Sequence, residues 1–317
     1  MKVLTITNMW PIKQAPYYGI FVKEQVEALK KYHPEINNKV YFINGKKSKL
    51  NYLWSIFKIN WLLTFNKYDV IHIHYALSGL FLLFNPFIKT PVILTLHGSD
   101  FNSSKKLITT VVRKIIRKTT DLICLNETML TNLKSFNKRM QLIPCGVNTD
   151  TFQYNAYKRE NLTYKIVFPS VKTRTVKNYK FFDKIINNLR SIDKIEIEVI
   201  EIDSKTRKEV NEILNEADLL CMTSITEGSP QIIKEALCCR TPIVSSNVGD
   251  VKELLSGITN CYVIESYDID EFSNAIRKIL QLPQKHRISN GRSKIYELGL
   301  DEKSTSKKIK KLYSSLI

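Results

Sequence analysis

Acidic residues are scarce in the first half of this 317-residue chain. Residues 1–150 hold 8 acidic and 21 basic residues, a net charge of +13, whereas residues 151–317 hold 22 and 27, a net charge of +5. The hydrophobic fraction of 44% and the charged fraction of 25% are ordinary, which excludes a disordered, collagenous or coiled-coil chain. The uneven charge predicts an anionic partner for the first half, such as phosphates, a membrane surface or nucleic acid.

Other features are also missing. The six cysteines include no Cys-x-x-Cys pair, which favours free, buried thiols in a reducing cytoplasm. The first ten residues lack the apolar core of a signal peptide and read as a β-strand. The uncharged stretch 70–88 is interrupted by His72, His74, Asn85 and Pro86, so a transmembrane span is not expected. No motif typical of DNA or RNA recognition is present, and no nucleic-acid partner is expected.

Apolar runs of strand length alternate with helical patterns along the whole chain. This alternation predicts parallel sheets flanked by helices, an α/β fold of doubly wound type. A polar stretch at about residues 148–163 interrupts it and then the pattern restarts. We therefore expect a Rossmann-like domain over residues 1–155, a second over residues 156–300, and a C-terminal helix over residues 301–317 that packs back towards the first domain. Ligands of such sheets bind at the carboxyl ends of the strands.

The strongest chemical signal is the run TEGSPQIIKEAL at residues 226–237, after the predicted strand 219–222. Ser229 is a natural N-cap and Pro230 fits the first helical position. The backbone N–H groups of residues 231–233 are then expected to face a ligand, and they suit a diphosphate. Glu235 could accept hydrogen bonds from the hydroxyls of a ribose, and Glu227 from those of a sugar. An ordinary capped helix with a surface glutamate explains the same run.

Five motifs in order resemble glycosyltransferase family 4 (group 1). They lie at residues 69–74 (DVIHIH), 96–100 (LHGSD), 143–148 (IPCGVN), 168–178 (FPS followed by RTVKN) and 226–237, which carries the spaced glutamates Glu227 and Glu235. The resemblance covers most of the chain. It implies a GT-B fold, in which two Rossmann-like domains face each other across a cleft. The first domain would bind an acceptor and the second a nucleotide-sugar donor.

The resemblance also implies residue roles. Arg174 and Lys177 would neutralise the diphosphate, and Glu235 would hold the ribose hydroxyls. Glu227, with Gly228, Ser229 and Pro230, would hold the donor sugar. His97 would lie at the reacting sugar, and Gly19 would let the first loop approach the diphosphate. These sets comprise the catalytic candidates His97, Glu227, Arg174 and Lys177 and the donor-binding candidates Gly19, Arg174, Lys177, Glu227, Gly228, Ser229, Pro230 and Glu235.

The residue types suit the chemistry. Cleavage of a glycosyl phosphate develops negative charge on the leaving phosphate, which fixed cations and helix-end N–H groups stabilise. The family retains anomeric configuration, and the usual proposal is front-face attack in which the leaving phosphate takes the acceptor proton. The one Asp-x-Asp triplet, at residues 268–270, is better explained as a helix cap, so neither a metal nor a cofactor is expected.

Several assignments stay open at this level. Lys172 competes with Arg174 as the first cation, and Arg174 is preferred for its spacing to Lys177. His72 alternates with apolar neighbours, which favours a core histidine. His74, at the end of its strand, is either structural or on the acceptor side.

Residues 104–120 combine six cations with a helical apolar pattern and contain no acid. Such a helix can lie on an anionic membrane surface, although a solvated helix with its apolar face in the core is the alternative. Aromatic side chains in the preceding helix, at residues 52–61, could add an interfacial edge.

The sequence therefore predicts a retaining, metal-independent glycosyltransferase of the cytoplasm, peripheral on the inner face of the cell membrane. It would move a sugar from a nucleotide-sugar to a lipid-linked or polymeric acceptor in cell-surface polysaccharide, glycolipid or teichoic-acid synthesis. The expected nucleotide of the donor is UDP. The Lys-, Ile- and Asn-rich composition fits a bacterium with AT-rich DNA. The alternatives are a catalytically silent sugar-nucleotide-binding subunit and another GT-B chemistry, an epimerase or a phosphorylase.

Overall fold

The computed structural model describes residues 1–98, 106–156 and 163–317. The chain forms two compact units. Unit 1 comprises Met1–Gly146 with Glu302–Ile317, and unit 2 comprises Val147–Asp301. The division at Gly146 comes earlier than the predicted boundary at residue 155, because the segment after Gly146 contributes Val147 and Phe152 to the core of unit 2.

Unit 1 is built on a six-stranded parallel sheet in the order β2-β1-β3-β4-β5-β6. Its strands are β1 (Lys2–Thr7), β2 (Asn37–Phe42), β3 (Val70–His74), β4 (Val92–Thr95), β5 (Asp121–Cys124) and β6 (Arg139–Leu142). Its helices are α1 (Ile20–Tyr32), α2 (Leu50–Phe65), α3 (Lys106–Lys118), α4 (Glu127–Leu133) and the C-terminal α11 (Glu302–Ser314). Short 3-10 helices span Ala76–Leu83 and Lys134–Phe136.

The burial of the central strands agrees with the parallel sheet of unit 1. All five residues of β3 and all four of β4 and of β5 are buried, the pattern of strands covered by helices on both faces. α11 packs against α1, and its Tyr313 reaches β3, where the Tyr313 hydroxyl lies 2.6 Å from His72 Nδ1. The last helix is therefore part of the core of unit 1.

Unit 2 is built on a five-stranded parallel sheet in the order β11-β10-β9-β7-β8. Its strands are β7 (Tyr164–Phe168), β8 (Ile197–Glu201), β9 (Leu219–Met222), β10 (Ile243–Ser246) and β11 (Cys261–Ile264). Its helices are α5 (Tyr179–Ile192), α6 (Arg207–Glu216), α7 (Gln231–Cys238), α8 (Val251–Leu255), α9 (Ile269–Leu280) and α10 (Gly291–Glu297), with 3-10 helices at Thr175–Lys177 and Gln284–His286. The strand order reverses between β7 and β9, the point at which doubly wound sheets bind ligands.

The sequence did not predict two elements of the structure. Residues 76–83, within the uncharged stretch 70–88, form a single 3-10 helix directly after Tyr75, whose φ is 71°. α10 was not anticipated, because its seven residues bury only Gly291 and Ile295 and so carry little periodicity. In the part of the chain that is described, no helix is both long and apolar enough to cross a bilayer.

Candidate functional site

The loops that follow β7 and β9 meet at the switch point of unit 2. The Thr223 hydroxyl donates to the Lys177 carbonyl oxygen at 3.1 Å, and the Ile225 N–H donates to the Val176 carbonyl oxygen at 2.9 Å. Thr223 is fully buried. These bonds hold the predicted basic pair, on the first loop, beside the predicted glutamate of the second.

Lys177 and Glu227 form an ion pair within this junction. Lys177 Nζ lies 2.6 Å from Glu227 Oε1, and the two side chains are 9% and 17% exposed. An ammonium carries three donors and a carboxylate accepts at several positions, so each group keeps capacity for a ligand. The sequence assigned the two residues to different parts of the donor, and it gave no signal that they contact each other.

Arg174 and Lys172, the rival first cations, lie in different environments. Lys172 Nζ is 2.7 Å from Glu201 Oε1 and lies over the Tyr179 ring, and Glu201 and Tyr179 raise the pKa of Lys172. Arg174 is exposed, and its guanidinium has no hydrogen-bond or ion-pair partner within residues 1–98, 106–156 and 163–317. Because the charge of Lys177 is balanced by Glu227, Arg174 supplies the uncompensated positive charge of this loop.

Glu235 lies in the second turn of α7 and is almost fully buried, at 2% exposure. One of its carboxylate oxygens, Oε1, accepts from Arg207 at 2.6 Å. The Arg207 guanidinium in turn lies over the Phe152 ring, 4.5 Å from its centroid. The ring and the carboxylate together orient the guanidinium. Arg207 carries no motif, and sequence reasoning missed it because the contact joins residues on two separate helices.

The predicted cap of α7 is wrong in detail. Pro230, rather than Ser229, occupies the N-cap position, and it offers no side-chain acceptor. The Ser229 hydroxyl donates instead to Asp250 Oδ2 at 2.5 Å. Of the N–H groups expected to be available, that of Ile233 bonds to the Pro230 carbonyl oxygen at 3.2 Å. Tertiary contacts with the loop before α8 have thus replaced the local cap.

That loop fixes the backbone at Gly228. Gly249 has a φ of 63°, and a Cβ there would fall 2.5 Å from the Gly228 carbonyl oxygen, so only glycine allows the approach. Asp250 follows and is buried, with no hydrogen-bond partner for Oδ1 among the described residues. Burial raises the pKa of Asp250, while the positive charge of the fully buried Lys234 opposes that rise.

Three histidines form a contiguous cluster at the carboxyl ends of β3 and β4 in unit 1. The His72 and His74 ring centroids are 4.3 Å apart, and those of His74 and His97 are 5.5 Å apart and stacked. His72 is a core residue, since its ring nitrogens contact Tyr313 and the Thr95 hydroxyl at 2.6 and 2.7 Å. Burial lowers the pKa of His72 and of His97 to about 3 and holds that of His74 well below its usual value.

Neutral imidazoles carry one proton each, and the contact with Gln25 on α1 indicates where the protons of His74 and His97 lie. Gln25 Nε2 can only donate, and it lies 3.3 Å from His74 Nε2, which must therefore accept. The His74 proton is then on Nδ1, 3.3 Å from His97 Nε2, and donates to it. The proton of His97 consequently lies on its Nδ1.

His97 also packs on Phe21, with ring centroids 5.1 Å apart. Ser99 and Asp100, which complete the LHGSD motif, lie outside the described residues. Gly19 has a φ of 66°, and a Cβ there would lie 2.2 Å from the Met9 carbonyl carbon. The absence of a side chain at Gly19 therefore allows the backbone of Gly19 to pack closely against that of Met9 within unit 1.

Within the described ranges, no group of three or more histidine, cysteine, aspartate or glutamate residues is arranged to hold a metal ion. Asp268, in the single Asp-x-Asp triplet, caps α9 by accepting from the N–H groups of Asp270 and Glu271 at 2.8 and 3.0 Å. This is the capping role that the sequence favoured for the triplet.

The comparisons with known proteins agree with this architecture. Residues 21–151 match the model of glycosyltransferase family 4, and residues 183–294 match that of glycosyl transferases group 1. The chain belongs to this glycosyltransferase family, as the motifs indicated. It is 27% identical to the UDP-Gal:alpha-D-GlcNAc-diphosphoundecaprenol alpha-1,3-galactosyltransferase of Escherichia coli, over 90% of this chain and 83% of that protein.

A second relative and two solved structures extend the comparison. The putative teichuronic acid biosynthesis glycosyltransferase TuaC of Bacillus subtilis is 24% identical over 59% of this chain and 55% of its own length. Sucrose-phosphate synthase of Thermosynechococcus elongatus matches with a TM-score of 0.78 at 15% identity, covering 99% and 98% of the chains. The Anabaena protein HepE in complex with UDP matches with a TM-score of 0.73 at 13% identity, covering 99% and 100%. The predicted GT-B fold is confirmed.

Proposed function

We propose that this glycosyltransferase transfers a sugar from a UDP-linked donor, with retention of configuration, to a lipid-linked or polymeric acceptor of a cell-surface polysaccharide, glycolipid or teichoic acid. The observation that carries the donor half is the junction at the switch point of unit 2. It gathers Arg174, Lys177 and Glu227 at the carboxyl ends of β7 and β9, beside the start of α7. The acceptor half is supported by the alpha-D-GlcNAc-diphosphoundecaprenol in the name of one relative and by the teichuronic acid biosynthesis in the name of the other.

The charges of this junction suit departure of a diphosphate. Arg174 brings a full positive charge. Lys177 can donate to a phosphate oxygen through an N–H bond that Glu227 does not use. Fixed donors of this kind are worth about 3–4 kcal/mol of barrier in favourable cases. Glu227 accepts from the sugar hydroxyls and Glu235 from the ribose, with Gly228, Ser229 and Pro230 forming the loop around the sugar.

The acceptor oxygen attacks the anomeric carbon on the face from which the diphosphate leaves, and its proton passes to a leaving phosphate oxygen. No protein carboxylate acts as the nucleophile. His97, with its proton on Nδ1, is proposed to hydrogen-bond the reacting sugar, and Gly19 to border the diphosphate. Neither a metal nor an organic cofactor is needed in this scheme.

The protein is proposed to work at the cytoplasmic face of the cell membrane. The described part of the predicted basic segment 104–120 is α3 with the two residues after it, while residues 104 and 105 lie outside the described ranges. Its cations Arg113, Lys114, Arg117 and Lys118 are exposed, which supports attraction to anionic lipid.

The proposal is tested with purified protein and a panel of nucleotides, in the presence of EDTA. We expect UDP at 100 times its dissociation constant to add about 2.7 kcal/mol to the free energy of unfolding and thereby to raise the unfolding temperature. UDP-sugars incubated with a polyprenyl-diphosphate sugar should release UDP and yield an α-linked product by NMR. Binding without UDP release would favour the silent subunit, an acceptor-independent change of the donor would favour an epimerase, and inversion of configuration would refute the proposed stereochemistry.

A further inference from the structure

Helix α2 has two apolar faces, of which the fold covers one. Ser55, Ile56 and Ile59 are buried, and Ile59 belongs to the core of unit 1. The opposite face carries large apolar side chains that remain exposed. They are Leu50 (61% exposed), Leu53 (55%), Trp54 (62%), Phe57 (69%), Trp61 (70%) and Phe65 (65%). A soluble helix normally has polar residues on its outer side, so this face calls for a partner.

Neighbouring aromatic residues widen this surface. The Asn85 side chain donates to Asn60 Oδ1 on α2 at 2.8 Å, which ties the loop after the 3-10 helix Ala76–Leu83 to α2. That loop exposes Phe84 (65%) and Phe87 (86%). We call Trp54, Phe57, Trp61 and Phe65 with Phe84 and Phe87 the aromatic face.

The aromatic face is large for an exposed patch. Its α2 rings are grouped in pairs, with centroids 6.4 Å apart for Trp54 and Phe57 and 4.5 Å apart for Trp61 and Phe65. At about 150–250 Å² for each aromatic side chain, the four α2 residues alone expose roughly 400–650 Å². The largest patch on a typical monomer measures about 300–600 Å².

The charges around the aromatic face are of one sign. Exposed cations flank it at Lys49, Lys58, Lys67 and Lys89. Asp69 is the one acidic residue within residues 37–98, and its carboxylate accepts from the Lys2 backbone N–H at 2.7 Å. A second copy of the same face would bring like charges together. A partner with anionic groups above an apolar interior is complementary, because tryptophans and lysines favour the boundary of a bilayer.

α3 cannot offer the same kind of contact. Its Val112, Ile115 and Ile116 are buried in the core of unit 1, so its apolar face is already used. What α3 presents to solvent is chiefly cationic, with Leu107 (76% exposed) as its single large exposed apolar side chain, and cations attract lipid headgroups without inserting between them.

We propose that the aromatic face is the surface by which unit 1 inserts into the headgroup region of an anionic lipid bilayer. The aromatic side chains enter the boundary between headgroups and acyl chains, and the flanking lysines pair with lipid phosphates. This anchoring rests on the membrane location in the proposed function and deepens it by naming the inserting surface, but it requires neither donor nor acceptor. It places the apolar contact on α2 rather than on residues 104–120.

Vesicle binding tests the proposal directly, with phosphatidylglycerol–phosphatidylcholine vesicles and the full chain. The chain has three tryptophans, Trp10, Trp54 and Trp61. We expect their emission to shift to the blue on binding, and lipids brominated near the headgroup to quench it. The double variant Trp54→Phe/Trp61→Phe should keep its affinity within about threefold while losing that quenching.

A set of serine variants then separates insertion from electrostatic attraction. Replacing Trp54, Phe57, Trp61 and Phe65 with Ser should weaken vesicle binding at least tenfold in 0.5 M salt, where screening suppresses purely electrostatic attraction. The control variant Ile192→Ser/Tyr296→Ser removes apolar side chains that are 67% and 50% exposed in unit 2, and should bind like the wild type. Circular dichroism and thermal unfolding would establish that each variant is folded.

Two results would overturn the proposal. One is a folded serine variant that binds vesicles as tightly as the wild type in high salt. The other is a wild-type protein that forms a dimer without lipid in sedimentation and does not bind vesicles, when the serine variant is monomeric and the control variant is still a dimer. Hydrolysis of the UDP-sugar donor by the full chain is measured in parallel without lipid. Failure of the anchoring proposal is therefore distinguishable from failure of the proposed function.

Discussion

Replacement of Lys177 by Gln should affect folding and donor binding by different amounts. Lys177 and Glu227 are 9% and 17% exposed, so loss of the ammonium leaves a carboxylate that water reaches only in part. Removing one partner of a fully buried pair costs about 3–5 kcal/mol, and the partial exposure of Glu227, with a Gln amide still able to donate, brings the expectation to about 2 kcal/mol. Urea unfolding measures this loss, which corresponds to about 4–8 °C in the unfolding temperature of a unit of this size.

Calorimetric titration with UDP and with uridine separates the functional effect from the structural one. A hydrogen bond to a charged group contributes about 1.5–3 kcal/mol, so Lys177→Gln should weaken UDP binding about 10- to 150-fold. Uridine has no phosphate and should bind the variant as it binds the wild type. Lys165→Gln is the matched control, because Lys165 pairs with Glu216 at 2.7 Å in the same unit but away from the switch-point loops. Equal losses for UDP and uridine would refute the diphosphate role of Lys177.

Three further predictions concern the other buried groups. Glu235→Gln should weaken uridine and UDP equally, about tenfold, because its carboxylate is assigned to the ribose; an unchanged uridine affinity in calorimetry would remove that role. Burial lowers the pKa of His72 to about 3 and that of His74 well below its usual value, so the unfolded chain takes up protons first as the pH falls below 6.5. Between pH 7 and 5.5, stability should fall by about 1.3 kcal/mol for each of His72 and His97, whose pKa values are both lowered to about 3, and His74 shifts stability in the same direction; equal urea stability at both pH values would contradict this. Gln25→Glu should move the proton of His97 from Nδ1 to Nε2, visible in its imidazole ¹⁵N shifts, and unchanged shifts would contradict the hydrogen-bond chain.

Periodicity and motif order predicted the strands and most helices, because parallel strands covered on both faces read as continuous apolar runs. The basic loop at 174–177 and the glutamate at 227 could be placed at one sheet edge, since each follows a predicted strand. Their direct contact could not be predicted, because it depends on the bonds that Thr223 and Ile225 make across the two loops. The cap of α7 failed for a related reason: Ser229 is a good local cap, but the buried carboxylate of Asp250 competes for its hydroxyl.

Amphipathic patterns have a similar limit. The sequence shows that α3 has an apolar and a cationic side, but the pattern is the same whether the apolar side meets lipid or core. In the structure, the apolar side of α3 packs into the core of unit 1. α2, by contrast, is apolar on both sides, and sequence alone does not reveal that the side bearing Trp54 and Trp61 is the uncovered one.

The protonation of the histidine cluster restricts what His97 can contribute to sugar transfer. Burial lowers the pKa of His97 to about 3, so at neutral pH its imidazole carries no charge. Without a ligand it therefore carries no positive charge to set against a departing diphosphate, and in the proposed reaction that task is assigned to Arg174 and Lys177. A neutral imidazole with its proton on Nδ1 can instead donate one directed hydrogen bond. In the proposed reaction His97 would then act on the reacting sugar by orientation, and Gln25 and His74 would determine which of its ring nitrogens donates.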